Sequence, residues 1–518
     1  MATRDRLIVS FDGFALTPAA AEAIARRAAG VTLYRHLNVD TPAQVRALTD
    51  ALQAAARRLG LPPLLIAADH ETGQLHAMGE GATPFAGAMA LGATGDVELA
   101  ERVGRAIGTE LRAMGVNLVY APVCDLATNP RNPVVGIRSF GDDRAAVGRL
   151  AAATVRGLQS AGVAATVKHL PGHGEPGGDS HLGLPVIEAS ADALRARELV
   201  PFRAAIADGA QIAMAGHLAV PALTGRRDLP ATLSREVIHD LLRVELGFGG
   251  IVVSDALDMG GVRGDDGGPD VAGALAAGID LLLCGPDPEA QARVESGLAR
   301  AIAALDPSSS TEAARRLDAL RRWLDGFDQP EIGIVGGTLH RALADELAQR
   351  SITLVRDSDR LLGRPIPRDA RVLVVEPLPV DLTPADTTSW LPAAGLAAAI
   401  RGRRPATDGL LFDGPPPPDL LAEILALAQA VDLVVVGTVD ALARPAAFAA
   451  LAGALIETGT PVVAVALRGP WDADAYLEIG TVVATFGAQA PSLAAVAAAI
   501  LDRAPLTGRL PVEVRTAA

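Results

Sequence analysis

Two cysteines, Cys124 and Cys284, are all that the 518 residues contain. That is too few for a disulfide framework. Both stand in apolar, strand-like runs, where a free thiol packs as a small hydrophobe in a reducing compartment. Aromatic side chains make up 3% of the chain, so stacking surface for a long polymeric ligand is scarce. Positive charge is in short supply too: 46 basic residues face 60 acidic ones, a net charge of -14. This balance argues against a nucleic-acid or anionic-membrane surface and otherwise favours solubility. No run of eighteen apolar residues occurs. Met-Ala-Thr-Arg-Asp-Arg passes directly into Leu7-Ile-Val-Ser-Phe11 without the apolar core and cleavage site of a signal peptide. A cytoplasmic protein is the expectation. Gly-x-Ser-x-Gly elbows, Walker-type phosphate loops and fixed-period repeats are missing as well.

Half of the residues are hydrophobic and a fifth are charged, an ordinary globular composition, and the length predicts two domains. Apolar runs rich in β-branched residues recur at Leu7–Phe11, Val31–Tyr34, Leu64–Ala68, Asn117–Ala121, Val163–Val167, Gln211–Ala215, Ile251–Ser254 and Ile279–Cys284. Stretches of helical pattern separate them, at 42–59, 95–114, 143–161, 191–208, 234–246 and 288–304. Eight such units predict a (β/α)8 TIM-type barrel rather than an open doubly wound sheet. Asp12, Arg35, Asp69, Lys168, His217 and Asp255 all fall at or just after the ends of these strands, where functional groups of a barrel collect. The pattern loosens around 325–345, which places a catalytic barrel in residues 1–335. A smaller α/β/α sandwich of mostly parallel strands follows in 336–518, with runs at Ile352–Val355, Val372–Val375, Leu433–Val436, Val462–Leu467 and Val482–Ala484.

The densest chemistry lies in residues 168–181, Lys-His-Leu-Pro-Gly-His-Gly-Glu-Pro-Gly-Gly-Asp-Ser-His, a Gly- and Pro-rich loop opening from a buried strand. Asp179 and His181 stand two apart, so an extended segment turns both to one face, and a carboxylate beside an imidazole fixes its tautomer and raises its pKa. Solvated loop residues and a metal site built from His169, His173, Asp179 and His181 are competing readings, although the spacings match no zinc signature. Asp255 follows four apolar residues and a serine at the end of the seventh strand. There it can act as a carboxylate nucleophile or simply cap a helix. Together the two stretches suit displacement at an anomeric carbon, with an acid/base partner for the leaving oxygen.

Lys168-His-Leu-Pro-Gly-His-Gly174, a four-residue gap and Asp179-Ser-His181 resemble the signature of glycoside hydrolase family 3, in its two-domain β-N-acetylglucosaminidase (β-N-acetylhexosaminidase) branch. Ala121-Pro-Val-Cys-Asp-Leu126, Ile137-Arg-Ser-Phe-Gly141, Pro230-Ala-Thr-Leu-Ser234, Leu246-Gly-Phe-Gly-Gly-Ile251 and Ser254-Asp-Ala-Leu257 extend the likeness over most of residues 7–285. The resemblance implies a retaining, exo-acting enzyme with Asp255 as nucleophile and His181 as acid/base, oriented by Asp179. It implies Asp69, Arg138, Lys168, His169, His217 and Met259 as substrate-binding residues, and neither metal nor organic cofactor. Small glycans such as muropeptide or chitin-oligosaccharide fragments are the implied substrates, with cell-wall recycling as the setting and a monomer or homodimer as the assembly. A phosphorylase using phosphate as acceptor, or a catalytically silent sugar-binding homologue, is the alternative. Two departures stand out. Asp69-His-Glu-Thr-Gly-Gln74 replaces the usual Asp-Gln-Glu-Gly-Gly-Arg, which can reshape one wall of the sugar pocket, and Asp258 stands where Ser or Asn is common.

Overall fold

A computed structural model describes residues 5–178, 180, 183–259, 262, 270–304, 307–414 and 416–515. Eight short parallel strands form the first sheet: β1 (Leu7–Val9), β2 (Gly30–Leu33), β3 (Leu65–Ala68), β4 (Leu118–Val119), β5 (Ala164–Leu170), β6 (Ile212–Ala215), β7 (Ile251–Ser254) and β8 (Leu282–Leu283). Their order is β8-β1-β2-β3-β4-β5-β6-β7, and a parallel bridge between Val253 and Leu281 joins the two edges. The sheet thus closes as the TIM-type barrel the sequence predicts. Side chains alternate across each strand. Ile8, Leu65, Leu118, Ile212, Met214, Ile251 and Val253 belong to one buried cluster, while their neighbours pack in a different one with the surrounding helices. The inner cluster also contains Leu317, Leu320 and Leu324 from helix Pro307–Leu324, and Arg316 of that helix bonds Asp280 just before β8. The amino-terminal mouth is therefore plugged, which leaves the carboxyl ends of the strands as the place for a site.

The helices begin where the sequence supplies caps. Thr41, Asp96, Asp143 and Ser190 each accept a hydrogen bond from the amide three residues on, starting helices Pro42–Arg58, Val97–Ala113, Arg144–Ser160 and Ala191–Ala196. Among the described residues no helix is long and apolar enough to cross a membrane.

Helix Thr338–Ser351 leads into a six-stranded sheet of β9 (Thr353–Asp357), β10 (Val372–Pro377), β11 (Thr407–Phe412), β12 (Leu433–Thr438), β13 (Val462–Ala466) and β14 (Thr481–Ala484). Its order is β9-β14-β13-β12-β10-β11; β9 runs antiparallel to β14 and the other pairs are parallel. Edge strand β11 was not expected from the sequence. It carries Asp408 and Gly409, and its pattern mixes exposed with buried residues, so it lacks the continuous apolar run of a central strand. The two domains are stitched together. Gln489 Nε2 donates to the Gly73 carbonyl at 2.6 Å, the Arg509 amide donates to the Ala93 carbonyl, and the Asp142 amide donates to the Pro511 carbonyl.

Candidate active site

A cavity of about 350 Å³ opens at the carboxyl ends of the barrel strands. Asp69, Arg138, Lys168, His169, Asp255 and Met259 all line it, although 186 positions separate the first from the nucleophile candidate. Asp258, Tyr34 and Arg35 complete much of the barrel's contribution. The Asp255 carboxylate follows β7, and its Oδ1 accepts the Ala256 amide at 2.8 Å. Two of the rim residues fall elsewhere. Asp12 is exposed and does not line the cavity. His217 lies fully buried behind the wall, with Nδ1 2.8 Å from Thr232 Oγ1 and Nε2 donating to the Ala256 carbonyl at 3.0 Å. Asp179 and His181 lie outside the described residues. Ser180 between them is buried, with Oγ 3.0 Å from His173 Nε2.

Charge compensation is what lets so many ionic groups share a buried floor. Glu71 accepts two hydrogen bonds from Arg138 (both 2.8 Å) and a third contact from Lys168 Nζ at 2.5 Å. Lys168 Nζ also meets Asp69 Oδ1 at 2.7 Å. Burial alone would raise the Glu71 pKa, but Arg138 and Lys168 overcome it and hold the carboxyl at about 2. Burial likewise works against the Lys168 charge, yet Asp69 and Glu71 lift its pKa above the usual lysine value. The three charges therefore stay on at neutral pH, and Arg138 is fixed as a planar donor on the cavity wall.

Asp125 plays the matching part under the loop. Its Oδ2 lies 2.7 Å from His169 Nδ1, while Oδ1 accepts the backbone amides of His169 and His173 at 3.1 and 2.8 Å. Burial pushes this carboxyl up, but the two imidazoles and the amides bring it below the ordinary value. The Asp125 carboxylate thereby fixes the His169 ring, with Nδ1 donating to it. Burial and the neighbouring His169 lower His173 to about 4, so it stays neutral. Asn132 Nδ2 donates to the carbonyls of His173 and Pro176 at 2.7 and 2.8 Å, which holds the loop down. Burial, with the carboxylates of Asp287 and Asp255, pushes Asp258 up, even though the Gly285 amide donates to it.

Glu71, Asp125 and Asn132 were not singled out from the sequence, although Glu71 stands two residues past Asp69 and Asp125 within the quoted Ala121–Leu126 stretch. The second domain gave no local signal at all. Its residues Pro384, Ala385, Asp386 and Thr387 line the cavity from the far side. Thr387 Oγ1 accepts the His76 amide at 2.9 Å and donates to the Gln74 carbonyl at 2.9 Å, while Gln74 Nε2 donates to the Ala385 carbonyl at 3.3 Å. Gln74, one of the departures noted above, is thus a docking point for the second domain. Among the described residues no group of His, Cys, Asp and Glu converges as a metal site.

A parallel barrel with buried carboxylates, a lysine and an imidazole around a cavity at its carboxyl rim, roofed by a second α/β domain, defines a two-domain barrel protein with a polar, ion-paired cavity at the domain interface. The glycosyl hydrolase family 3 N terminal domain model matches residues 9–320. Beta-hexosaminidase A of Pseudoalteromonas piscicida is 35% identical over 66% of this chain, and the chain spans 62% of that relative's length. A beta-N-acetylglucosaminidase/beta-glucosidase of Cellulomonas fimi is 31% identical over 92% of this chain and 87% of its own. A solved glycoside hydrolase family 3 beta-N-acetylglucosaminidase from Paenibacillus sp. str. FPU-7 superposes with a TM-score of 0.92 at 32% identity, covering 100% of this chain and 99% of that one. The chain belongs to glycosyl hydrolase family 3.

Proposed function

We propose that this chain is a retaining, exo-acting β-N-acetylglucosaminidase that removes a terminal non-reducing N-acetylglucosamine from small glycans. The observation that carries the reading is the single cavity walled by Asp69, Arg138, Lys168, His169 and Asp255, of a size for one sugar residue and roofed by the second domain. Asp255 attacks the anomeric carbon while His181, oriented by Asp179, protonates the leaving oxygen. The covalent glycosyl-enzyme then breaks down as His181 takes a proton from water and the Asp255 carboxylate departs. An imidazole in this role avoids a second anion beside the nucleophile. Asp69, Arg138, Lys168 and His169 hold the sugar's hydroxyls and Met259 packs against it. His217 acts from behind, on the Ala256 carbonyl next to the nucleophile. We set the boundary between the catalytic barrel and the sandwich at 335/336. Muropeptide and chitin-oligosaccharide fragments are the proposed substrates, recycled in the cytoplasm by a monomer or homodimer. The names of the relatives support the acetamido preference, and the Cellulomonas fimi relative's name makes a plain glucoside the competitor to test.

The experiment is release of nitrophenol from the N-acetyl-β-glucosaminide beside the plain β-glucoside, with and without phosphate. Fast release from the first alone, indifferent to phosphate, is the expected outcome; a sugar 1-phosphate as main product would replace hydrolase by phosphorylase. Binding without turnover by folded protein would leave the silent homologue. Asp255→Ala should lower kcat by several orders of magnitude. His181→Ala should slow natural disaccharides far more than activated aryl glycosides, because only the former need protonation of the leaving oxygen. Full activity of His181→Ala on a disaccharide would end that assignment.

A further inference from the structure

Asp179 and His181 stand in the loop after β5, and one side chain joins the segments that precede and follow them. Glu175 comes before the pair in sequence and Glu188 after it. Glu175 Oε1 accepts the Glu188 amide at 3.0 Å, and its Oε2 accepts Arg197 Nη2 at 2.8 Å. The Glu175 carbonyl also accepts Asn129 Nδ2 at 3.0 Å. Both segments rest on the barrel. Gly174 lies so close to Leu126 that a Cβ there would run into its carbonyl. Beyond the pair, the Ile187 amide donates to the Ala219 carbonyl at 2.9 Å and the Ala219 amide to the Pro185 carbonyl at 2.9 Å. Arg197 is held in turn by Glu198, whose Oε1 accepts its Nε at 2.6 Å. Glu198 is 1% exposed and its Oε2 has no hydrogen-bond partner, so Arg197 is what compensates this buried carboxylate.

We infer that Glu175 and Arg197 form a clasp that positions the acid/base loop, and that they serve protonation of the leaving oxygen through His181. The inference rests on the glycosidase reading above and deepens it. Gly177, Gly178 and Gly183 flank Asp179 and His181 in the sequence, and glycine loses more conformational freedom on ordering than any other residue. Tying the two ends of such a segment together lowers the entropy left to lose. Glu175 and Arg197 are 28% and 38% exposed, and an ion pair so open to water contributes little to stability. What the pair supplies is placement. One carboxylate takes a main-chain amide from the far side of the loop and a guanidinium that the buried Glu198 holds still. Proton transfer needs that placement, because the imidazole must come within about 3 Å of the leaving oxygen. Glu175 and Arg197 are positioning residues and touch no substrate.

The test compares Glu175→Ala with wild type on N,N′-diacetylchitobiose, whose leaving sugar must be protonated, and on dinitrophenyl N-acetyl-β-glucosaminide, whose leaving group departs unaided. The clasp predicts a fall of about tenfold or more in kcat/KM on the disaccharide and a change within about twofold on the dinitrophenyl glycoside. Glu175→Gln keeps an acceptor for the Glu188 amide and should recover part of the loss. Added to His181→Ala, Glu175→Ala should cost the disaccharide nothing further, since both act on one step. Equal losses on the two substrates, no loss on either, or the full loss repeated in the His181→Ala background overturn the inference. Arg197→Ala also strands Glu198, so its stability should drop; the Glu175 variants leave that buried pair in place. Hydrogen exchange reads the clasp without turnover. The Glu188 amide should exchange faster in Glu175→Ala than in wild type, and equal rates overturn the clasp as well. If wild type turns over neither glycoside, or His181→Ala loses both equally, the glycosidase reading fails and takes the inference with it. If His181→Ala separates the substrates and Glu175→Ala does not, the clasp alone fails.

Discussion

Lys168 is the only lysine in the chain; every other basic residue is arginine. Its surroundings give a physical reason for that one exception. The ammonium sits between Asp69 and Glu71, and Glu71 already takes two parallel bonds from Arg138. A compact point charge fits beside that planar pair, whereas a second guanidinium would have to displace it. Lys168→Arg should therefore lower kcat/KM by about a hundredfold or more even though the charge is kept, because misplacement by an ångström at such a site costs on that order. Glu71→Gln should be worse for the fold. It leaves Arg138 and Lys168, both almost fully buried, with one anion fewer, and breaking a buried pair in this way costs about 3–5 kcal/mol. Urea denaturation of both variants beside their kinetics separates the two effects. A Lys168→Arg enzyme with wild-type kcat/KM would show that charge alone is needed there.

At the scale of elements, the hairpin His70–Thr72 with Leu75–His76 links the site to the second domain. Thr72 has φ of 69°, a left-handed conformation that a β-branched residue takes only under strain, and its hydroxyl donates to the Ala86 carbonyl at 3.2 Å. The family pattern has glycine here, for which that φ is free. Thr72→Gly relieves strain of about 1–2 kcal/mol but loses a hydrogen bond of about 1 kcal/mol and adds flexibility to the unfolded chain, so its net effect should be near zero. Thr72→Val keeps the strain and loses the bond, so it should destabilise by about 1–2 kcal/mol. Thermal unfolding of the pair checks this, and a Gly variant that melts well below the Val variant would contradict it. The same hairpin shows where sequence reading stops. The eight barrel strands are mostly apolar runs and were legible as such; that Asp69, Lys168 and Asp255 would meet at one rim was legible from their places at strand ends. That Gln74 and Thr387, 313 positions apart, would pair across the domains was not. Neither residue carries chemistry that stands out locally, and the contact exists only because the sandwich folds back over the rim. Strand β11 escaped for the same reason.

Across the whole molecule, the two domains carry buried titrating groups of opposite sign. In the barrel, burial and the charge of Arg35 lower His76 to about 4, and burial with His169 does the same for His173. Each would take up a proton near 6.5 in the unfolded chain, so between pH 6.5 and 4 the unfolded state binds more protons. Stability then falls on acidification by about 1.4 kcal/mol per pH unit for each fully displaced histidine. In the sandwich, burial pushes Asp472 up to about 7, with the nearby Asp440 charge adding to it. Folded Asp472 holds a proton that the unfolded chain releases near 3.8, so its contribution is full below that value and is lost as pH rises through 7. The consequence is a pair of slopes that point in opposite directions. Relative to wild type, Asp472→Asn should gain about 1.4 kcal/mol in stability for each pH unit between 5 and 7, since asparagine keeps the oxygen that accepts the Ala441 amide and has no proton to lose. His76→Asn should gain on wild type in the other direction, as pH falls from 6.5 toward 4. Urea denaturation of the three proteins at pH 5, 6 and 7 reads both differences, whether the domains unfold together or apart, because each variant is compared with wild type at the same pH. Parallel curves for Asp472→Asn and wild type would mean that Asp472 is already ionised in the folded sandwich, and that acid weakens the barrel with no compensating gain in its partner domain.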